Sequence, residues 1–171
     1  PYPRWRFTYP NLPTHFLNIF TKQIKPNEII IYNKFDNPNV LIAGCGTGKH
    51  ICIAANYLNA NILGIDLSIA SLAFAKRKVE ELGLKNIEFL QADILQLNNL
   101  NKKFDVIECV GVLHHLKDHV KGLKILLDLL EPHGLLLIGL YSEKARQNII
   151  KAKEFAKKNK FENSITGIRS F

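Results

Sequence analysis

The sequence predicts an α/β fold: a doubly wound, mainly parallel sheet with helices on both faces. Three observations carry this. Short apolar runs alternate with helix-spaced segments from Val40 to about Lys158. The runs are apolar throughout, as strands buried on both faces are, rather than apolar at every second residue. The first run, Val40 to Ala43, ends in Gly44-Cys45-Gly46-Thr47-Gly48 just before a helical pattern. Right-handed crossovers then leave few topologies.

Residues 1–39 read as an irregular or helical extension. Proline at positions 1, 3, 10, 13, 26 and 38 blocks long helices there, except between Thr14 and Gln23. Val40 to Ala43 is the first strand. Gly48 to Leu58 is the first helix, with Ile51, Ala54, Ala55 and Leu58 at helical spacing. Asn61 to Ile65 is the second strand. Ser68 caps a helix running to about Leu82, and Gly83 stops it. Asn86 to Gln91 is the third strand, and Asn98-Asn99-Leu100-Asn101 a surface connection. Phe104 to Val110 is the fourth strand, followed by a helix from His115 to Leu130. Pro132-His133-Gly134 is a turn, and Leu135 to Leu140 the fifth strand. Ser142 caps a last helix to about Lys158. The main domain is thus 40–160, with 161–171 as a C-terminal segment.

Composition bounds the function. A chain of 171 residues is one domain by size. With 47% apolar and 22% charged residues it is globular rather than disordered. No stretch reaches the roughly 18 apolar residues of a membrane span. Cys45, Cys52 and Cys109 match neither a zinc ribbon nor a CxxC redox motif. They read as buried, reduced thiols, and the expected location is the cytoplasm. The net charge of +8 permits anionic partners. The lysines, however, thicken only at Lys151, Lys153, Lys157, Lys158 and Lys160, as on one face of a terminal helix. The chain contains no methionine, which reads as a piece of a longer product. The 11 residues from Phe161 to Phe171 are too few for two strands and a turn, so a C-terminal antiparallel hairpin is expected to be missing.

Ligands of an open parallel sheet bind beyond the carboxyl ends of its strands, where the strand order reverses. The glycine-rich turn falls there. Glycine suits a sharp turn, close backbone approach to a ligand and tight packing of the next helix. Asp66 ends the second strand, 18 residues after Gly48. An acid at that place can accept hydrogen bonds from ribose hydroxyls. The glycine spacing is GxGxG, because Lys49 stands where the dinucleotide fingerprint has its third glycine. Gly48-Lys49 is followed by His50 and lacks the spacing of a triphosphate-binding loop. Neither a pyrophosphate nor a triphosphate cradle is favoured.

These segments resemble class I S-adenosylmethionine-dependent methyltransferases. Val40-Leu-Ile-Ala-Gly-Cys-Gly-Thr-Gly48 is similar to their first motif, and Ile62-Leu-Gly-Ile-Asp66-Leu67-Ser68 to their second-strand motif. Leu90-Gln-Ala-Asp93-Ile94 resembles the third, and Phe104-Asp-Val-Ile-Glu-Cys-Val110 the fourth. Leu130-Glu-Pro-His-Gly-Leu-Leu-Leu-Ile138 resembles the turn and strand that follow. The likeness covers about residues 40–141 and implies a Rossmann-like fold with S-adenosylmethionine as cofactor. It implies that Gly44, Gly46 and Gly48 line the methionine half, Asp66 holds the ribose and Leu67 packs on the adenine. By the same likeness Asp93 accepts from the adenine amino group beside the backbone of Ile94, and Cys109 and Val110 border the sulfonium. More loosely, Tyr2-Pro3-Arg4-Trp5 and Tyr141 to Arg146 look like methyltransferase domains joined to tetratricopeptide repeats. That would imply a protein-binding helical array in the full-length protein.

The activity so implied is methyl transfer to an acceptor that the sequence does not name. The fourth strand ends in Glu108-Cys109-Val110-Gly111, without the Asn/Asp-Pro-Pro-aromatic run of base-methylating relatives. No Pro-Cys pair for cytosine methylation exists either. A small molecule or a protein is therefore favoured over nucleic acid. No catalytic residue is assigned. His114 and His115 are either a base or helix-start packing, and Glu108 is either catalytic or structural. His114, His115, Asp118 and His119 form a conceivable metal group, but no metal is expected. The aromatics Tyr2, Trp5, Phe7 and Tyr9 are a lid or a hydrophobic strap, and Arg4 and Arg6 would meet a substrate anion. A non-catalytic cofactor-binding or scaffold module and a nicotinamide-dinucleotide oxidoreductase stay open as alternatives.

Overall fold

The computed structural model of the chain describes residues 37–142, 144–159 and 161. Two compact units are present, dividing between Gly139 and Leu140. The first holds a five-stranded sheet. Its elements in order are β1 (Asn39–Ala43), α1 (Lys49–Ala54), β2 (Asn61–Asp66), α2 (Ile69–Glu81), β3 (Ile87–Gln91), β4 (Phe104–Val110), α3 (His119–Asp128) and β5 (Leu130–Gly139). Short 3-10 turns occupy Ile94–Asn99 and Leu113–His115. The second unit contains a 3-10 turn, Lys144–Arg146, and α4 (Gln147–Lys158). The last predicted helix, placed above within a single domain 40–160, belongs to this second unit. The extension 1–36, with its aromatic and arginine residues, lies outside the described residues, as does the terminal segment apart from Phe161. No helix among the described residues is long and apolar enough to cross a membrane.

The strand order is β3-β2-β1-β4-β5 and every pairing is parallel. The chain winds outward one way through β2 and β3, then returns to the other side of β1 for β4 and β5. The switch point therefore lies between β1 and β4, and their carboxyl ends open the crevice that such sheets offer to ligands. Alternate residues of β1 face opposite layers. Val40 and Ile42 join a core with Ile51, Tyr57, Leu72 and Val79, on the α1 and α2 side. Leu41 and Ala43 join one with Ile65, Ile107, Ile125 and Leu126, on the α3 side. Each fully buried aliphatic side chain contributes about 1.5–3 kcal/mol. The expectation of strands buried on both faces holds for β1, β2 and β4. It fails for β3, an edge strand whose Leu90 is 40% exposed, and β5 is only half-buried.

Local hydrogen bonds set the helix limits. The Ser68 hydroxyl accepts from the Ser71 N–H, capping α2 as expected. The first helix is shorter than its apolar spacing predicts. The Asn56 amide donates to the Ile53 and Cys52 carbonyls and ends α1. Tyr57 then turns inward, 4% exposed, while Leu58 faces out. The predicted helix from His115 begins instead at His119, because the Asp118 carboxylate caps it by accepting from the Lys121 N–H. The Pro132-His133-Gly134 turn proves to be a bulge inside a longer β5. Phe104 pairs with Leu130, but Val106 already pairs with Leu135, and His133 sits at φ +70° to absorb the excess. In the second unit, the Ser142 hydroxyl accepts from the Ala145 N–H and starts the 3-10 turn ahead of α4.

Candidate functional site

The loop after β1 is held against the end of β2. The N–H groups of Gly44 and Cys45 both donate to the Ile65 carbonyl, at 2.9 and 2.8 Å. Gly46 N–H donates to Asp66 Oδ2 at 2.8 Å, and Ser68 N–H donates to Oδ1 at 2.9 Å. Asp66 is only 7% exposed, so these two donors offset the cost of burying its charge. Each carboxylate oxygen keeps further acceptor capacity.

The three glycines meet different surroundings. A Cβ on Gly44 would sit 2.4 Å from a Val112 methyl. On Gly48, at φ +96°, it would sit 2.9 Å from Ala75 Cβ on α2. On Gly46, at φ +52°, it would meet nothing within 4 Å among the described residues. Gly44 and Gly48 thus allow close packing, while Gly46 turns backbone toward open space. Thr47 Oγ1 between them is buried with no partner among the described residues.

The other predicted residues lie along the same ends of the strands. Leu67, directly after Asp66, is 62% exposed, and its carbonyl accepts from the Gln91 amide. Asp93 Oδ1 accepts from the Leu95 N–H and caps the 3-10 turn, so Asp93 has a structural task in any case. Ile94 is buried and Val110 is half-buried at the end of β4. Cys109 is fully buried on the α3 side of the sheet, which leaves only its backbone for a ligand. Burial pushes the Cys109 thiol up to about 11 and, with the nearby Asp66 charge, the Cys45 thiol up to about 12.

The partners of Glu108, which the sequence leaves as either catalytic or structural, escaped the sequence reading. Glu108 in β4 is 1% exposed. Its Oε1 accepts from the Tyr57 hydroxyl at 2.5 Å, and its Oε2 lies 3.2 Å from His50 Nδ1. Burial and the Glu108 carboxylate both push the Tyr57 hydroxyl up, which keeps it protonated as a donor. The available signal was an acid inside the apolar run Phe104 to Val110, since a buried acid requires donors. His114 and His115 lie ring against ring, with centroids 4.1 Å apart. No cluster of three or more His, Cys, Asp or Glu suited to a metal occurs among the described residues.

A family model described as "Methyltransferase domain" matches residues 34–168. Among curated proteins, an uncharacterized protein of Synechococcus, syc1184_c, is 39% identical over 123 residues, 68% of this chain and 28% of that protein. Trans-aconitate 2-methyltransferase of Deinococcus radiodurans is 31% identical over 135 residues, 77% of this chain and 48% of that protein. Among solved structures, PKMT2 from Rickettsia typhi in complex with AdoHcy superposes with a TM-score of 0.68 at 28% identity, covering 92% of this chain and 30% of that one. The chain therefore spans less than half the length of each of these relatives.

Proposed function

Because the chain belongs to the methyltransferase-domain family, we propose that it transfers a methyl group from S-adenosylmethionine to a small-molecule or protein acceptor. The observation that carries this reading is the loop at the β1/β4 switch point, where Gly46 turns its backbone to open space and is hydrogen-bonded to Asp66.

The residues present suit that cofactor. The spare lone pairs of Asp66 would accept from ribose hydroxyls, and the exposed Leu67 side chain would cover one face of the adenine. The free oxygen of Asp93 would accept from the adenine amino group, next to the backbone of Ile94. Thr47 Oγ1, without a partner among the described residues, would meet the amino-acid end beside Gly44 and Gly46. Gly48 would serve by setting α1 close to α2 rather than by touching the ligand. The backbone of Cys109 and Val110 would border the reacting end. When bound, the cofactor supplies an already activated methyl on a sulfonium. The chain's own work is then to align the acceptor and exclude water.

The missing proline run after β4 supports a small molecule or a protein over a nucleic-acid base, despite the charge of +8. A tetratricopeptide-repeat region elsewhere in the full-length protein is part of the proposal and rests on sequence likeness alone.

Calorimetric titration with S-adenosylhomocysteine tests the reading, with a nicotinamide dinucleotide as the control. Heat from the dinucleotide and none from S-adenosylhomocysteine would overturn it. Radiolabelled methyl transfer into a lysate then separates an enzyme from a module that only binds the cofactor.

A further inference from the structure

We propose that His50 is the base that takes the acceptor's proton during methyl transfer, and that Glu108 and Tyr57 are the residues that position it. The proposal rests on the methyl-transfer reading above and deepens it.

The argument starts from Glu108. It lies in a strand otherwise made of Phe, Ile, Val and Cys, apart from Asp105, and is 1% exposed. An ionised carboxylate stays in such a place only if its oxygens find donors. Tyr57, itself buried, donates to Oε1. Oε2 faces His50 Nδ1. A carboxylate only accepts, so Nδ1 must carry a proton. In the neutral ring this leaves the lone pair on Nε2.

The two ring nitrogens face roughly opposite ways. Nδ1 points at a buried carboxylate, while the His50 side chain as a whole is 31% exposed. With Nδ1 turned to Glu108, Nε2 is the ring nitrogen assigned to the acceptor. The location fits as well. His50 is the second residue of α1, directly after the glycine loop. Glu108 pairs in register with Ile42, two residues before Gly44, and stands two residues before the end of β4. The pair thus sits at the switch point, where the acceptor must approach.

In the step itself, a lone pair of the acceptor nitrogen or oxygen forms the new bond to the methyl carbon. The carbon–sulfur bond breaks with its electrons left on sulfur, and the acceptor's proton passes to His50 Nε2. The resulting imidazolium is stabilised by the buried Glu108 charge. This assigns the acceptor's class: an attacking nitrogen or oxygen that has both a lone pair and a proton to lose, such as a neutral amine or a weakly acidic hydroxyl. A group already ionised would need no base. The described titratable groups bonded in this network are Glu108 from β4 and, through it, Tyr57 after α1; Lys49 is the neighbour on α1 itself.

The test is nitrogen-detected NMR of the histidine-labelled 171-residue chain over a pH series, with and without saturating S-adenosylhomocysteine. The expected result is a neutral His50 protonated at Nδ1, the minority tautomer in water, whose Nε2 resonance moves when S-adenosylhomocysteine binds. Glu108→Gln is expected to move the neutral ring toward the Nε2–H tautomer, because the carboxylate that requires a proton on Nδ1 is gone. Should Glu108→Gln fail to fold, Tyr57→Phe is the second variant, expected to keep the Nδ1–H tautomer because Glu108 Oε2 still faces Nδ1. His50→Gln assigns the resonance. A neutral His50 protonated at Nε2 overturns the proposal. So does an Nε2 resonance unmoved while calorimetry shows S-adenosylhomocysteine bound. Absence of binding overturns instead the methyl-transfer reading, and the proposal with it.

Discussion

Replacing Gly48 and Gly46 by alanine, one at a time, separates packing from ligand approach within one loop. Both sit at positive φ, +96° and +52°, where a side chain costs roughly 1–2 kcal/mol. At Gly48 the new Cβ also meets Ala75, 2.9 Å from its Cβ and 3.2 Å from its Cα. The second contact is helix backbone, so α1 and α2 must separate, an overpacking that costs about 1–3 kcal/mol more. Gly48→Ala is thus expected to destabilise by about 2–5 kcal/mol, read as a lower urea midpoint at unchanged slope. At Gly46 nothing among the described residues lies within 4 Å, so only the backbone cost, ~1–2 kcal/mol, applies. The added methyl instead enters the space proposed for the cofactor, and S-adenosylhomocysteine affinity should fall more than tenfold. Equal midpoints for the two variants would refute the packing argument. Unchanged affinity in Gly46→Ala would refute the close approach at that glycine.

Asp66→Asn puts an amide donor against the Gly46 or Ser68 N–H. It should cost about 1.5–3 kcal/mol in urea unfolding and weaken S-adenosylhomocysteine binding in calorimetry; intact affinity would remove Asp66 from the site. Tyr57→Phe strips Glu108 Oε1 of its donor and should cost about 1–3 kcal/mol. Added to Glu108→Gln it should cost less than the separate effects together, since both act on one bond. Cys45 and Cys109 are raised in the fold, to about 12 and about 11, from 9.0. Their raised values disfavour the thiolate, so the stability they confer is complete below pH 9 and declines as pH rises toward about 12. Urea midpoints taken at successive pH values should therefore fall above pH 9, less steeply in Cys45→Ala; a rise would contradict the burial of these thiols.

The sheet was largely legible because its central strands are short, continuous apolar runs with sharp ends. Phe104 to Val110 is both the predicted and the observed extent of β4. The loop was legible because glycine and a strand-end acid stand in fixed order. What stayed hidden depends on hydrogen bonds that apolar spacing does not encode. Asn56 ends α1 by taking up two carbonyls, which sends Tyr57 rather than Leu58 into the core. Asp118 moves the start of α3, and the excess residues of β5 are visible only in its register with β4. The Glu108 network joins residues 51 and 58 positions apart. Nothing local signals such a pairing; only the cost of an acid in an apolar strand hints that partners exist.

The same bonds discriminate among ligands of this fold. A pyrophosphate or phosphate cradle works by presenting backbone N–H groups to the anion. Here the amides of Gly44 and Cys45 are both spent on the Ile65 carbonyl, that of Gly46 on Asp66, and that of Gly48 on the Cys45 carbonyl. Four of the five loop amides, Gly44 to Gly48, thus point into the protein. A dinucleotide's pyrophosphate would have to displace these bonds. A ligand with a ribose, a purine and no phosphate meets no such conflict. It needs acceptors for hydroxyls, which Asp66 retains, and an apolar surface, which Leu67 offers. Asp66 therefore does two jobs with one carboxylate. It ties the loop to the end of β2, so the crevice is shaped before any ligand arrives, and it keeps the lone pairs that a ribose would use.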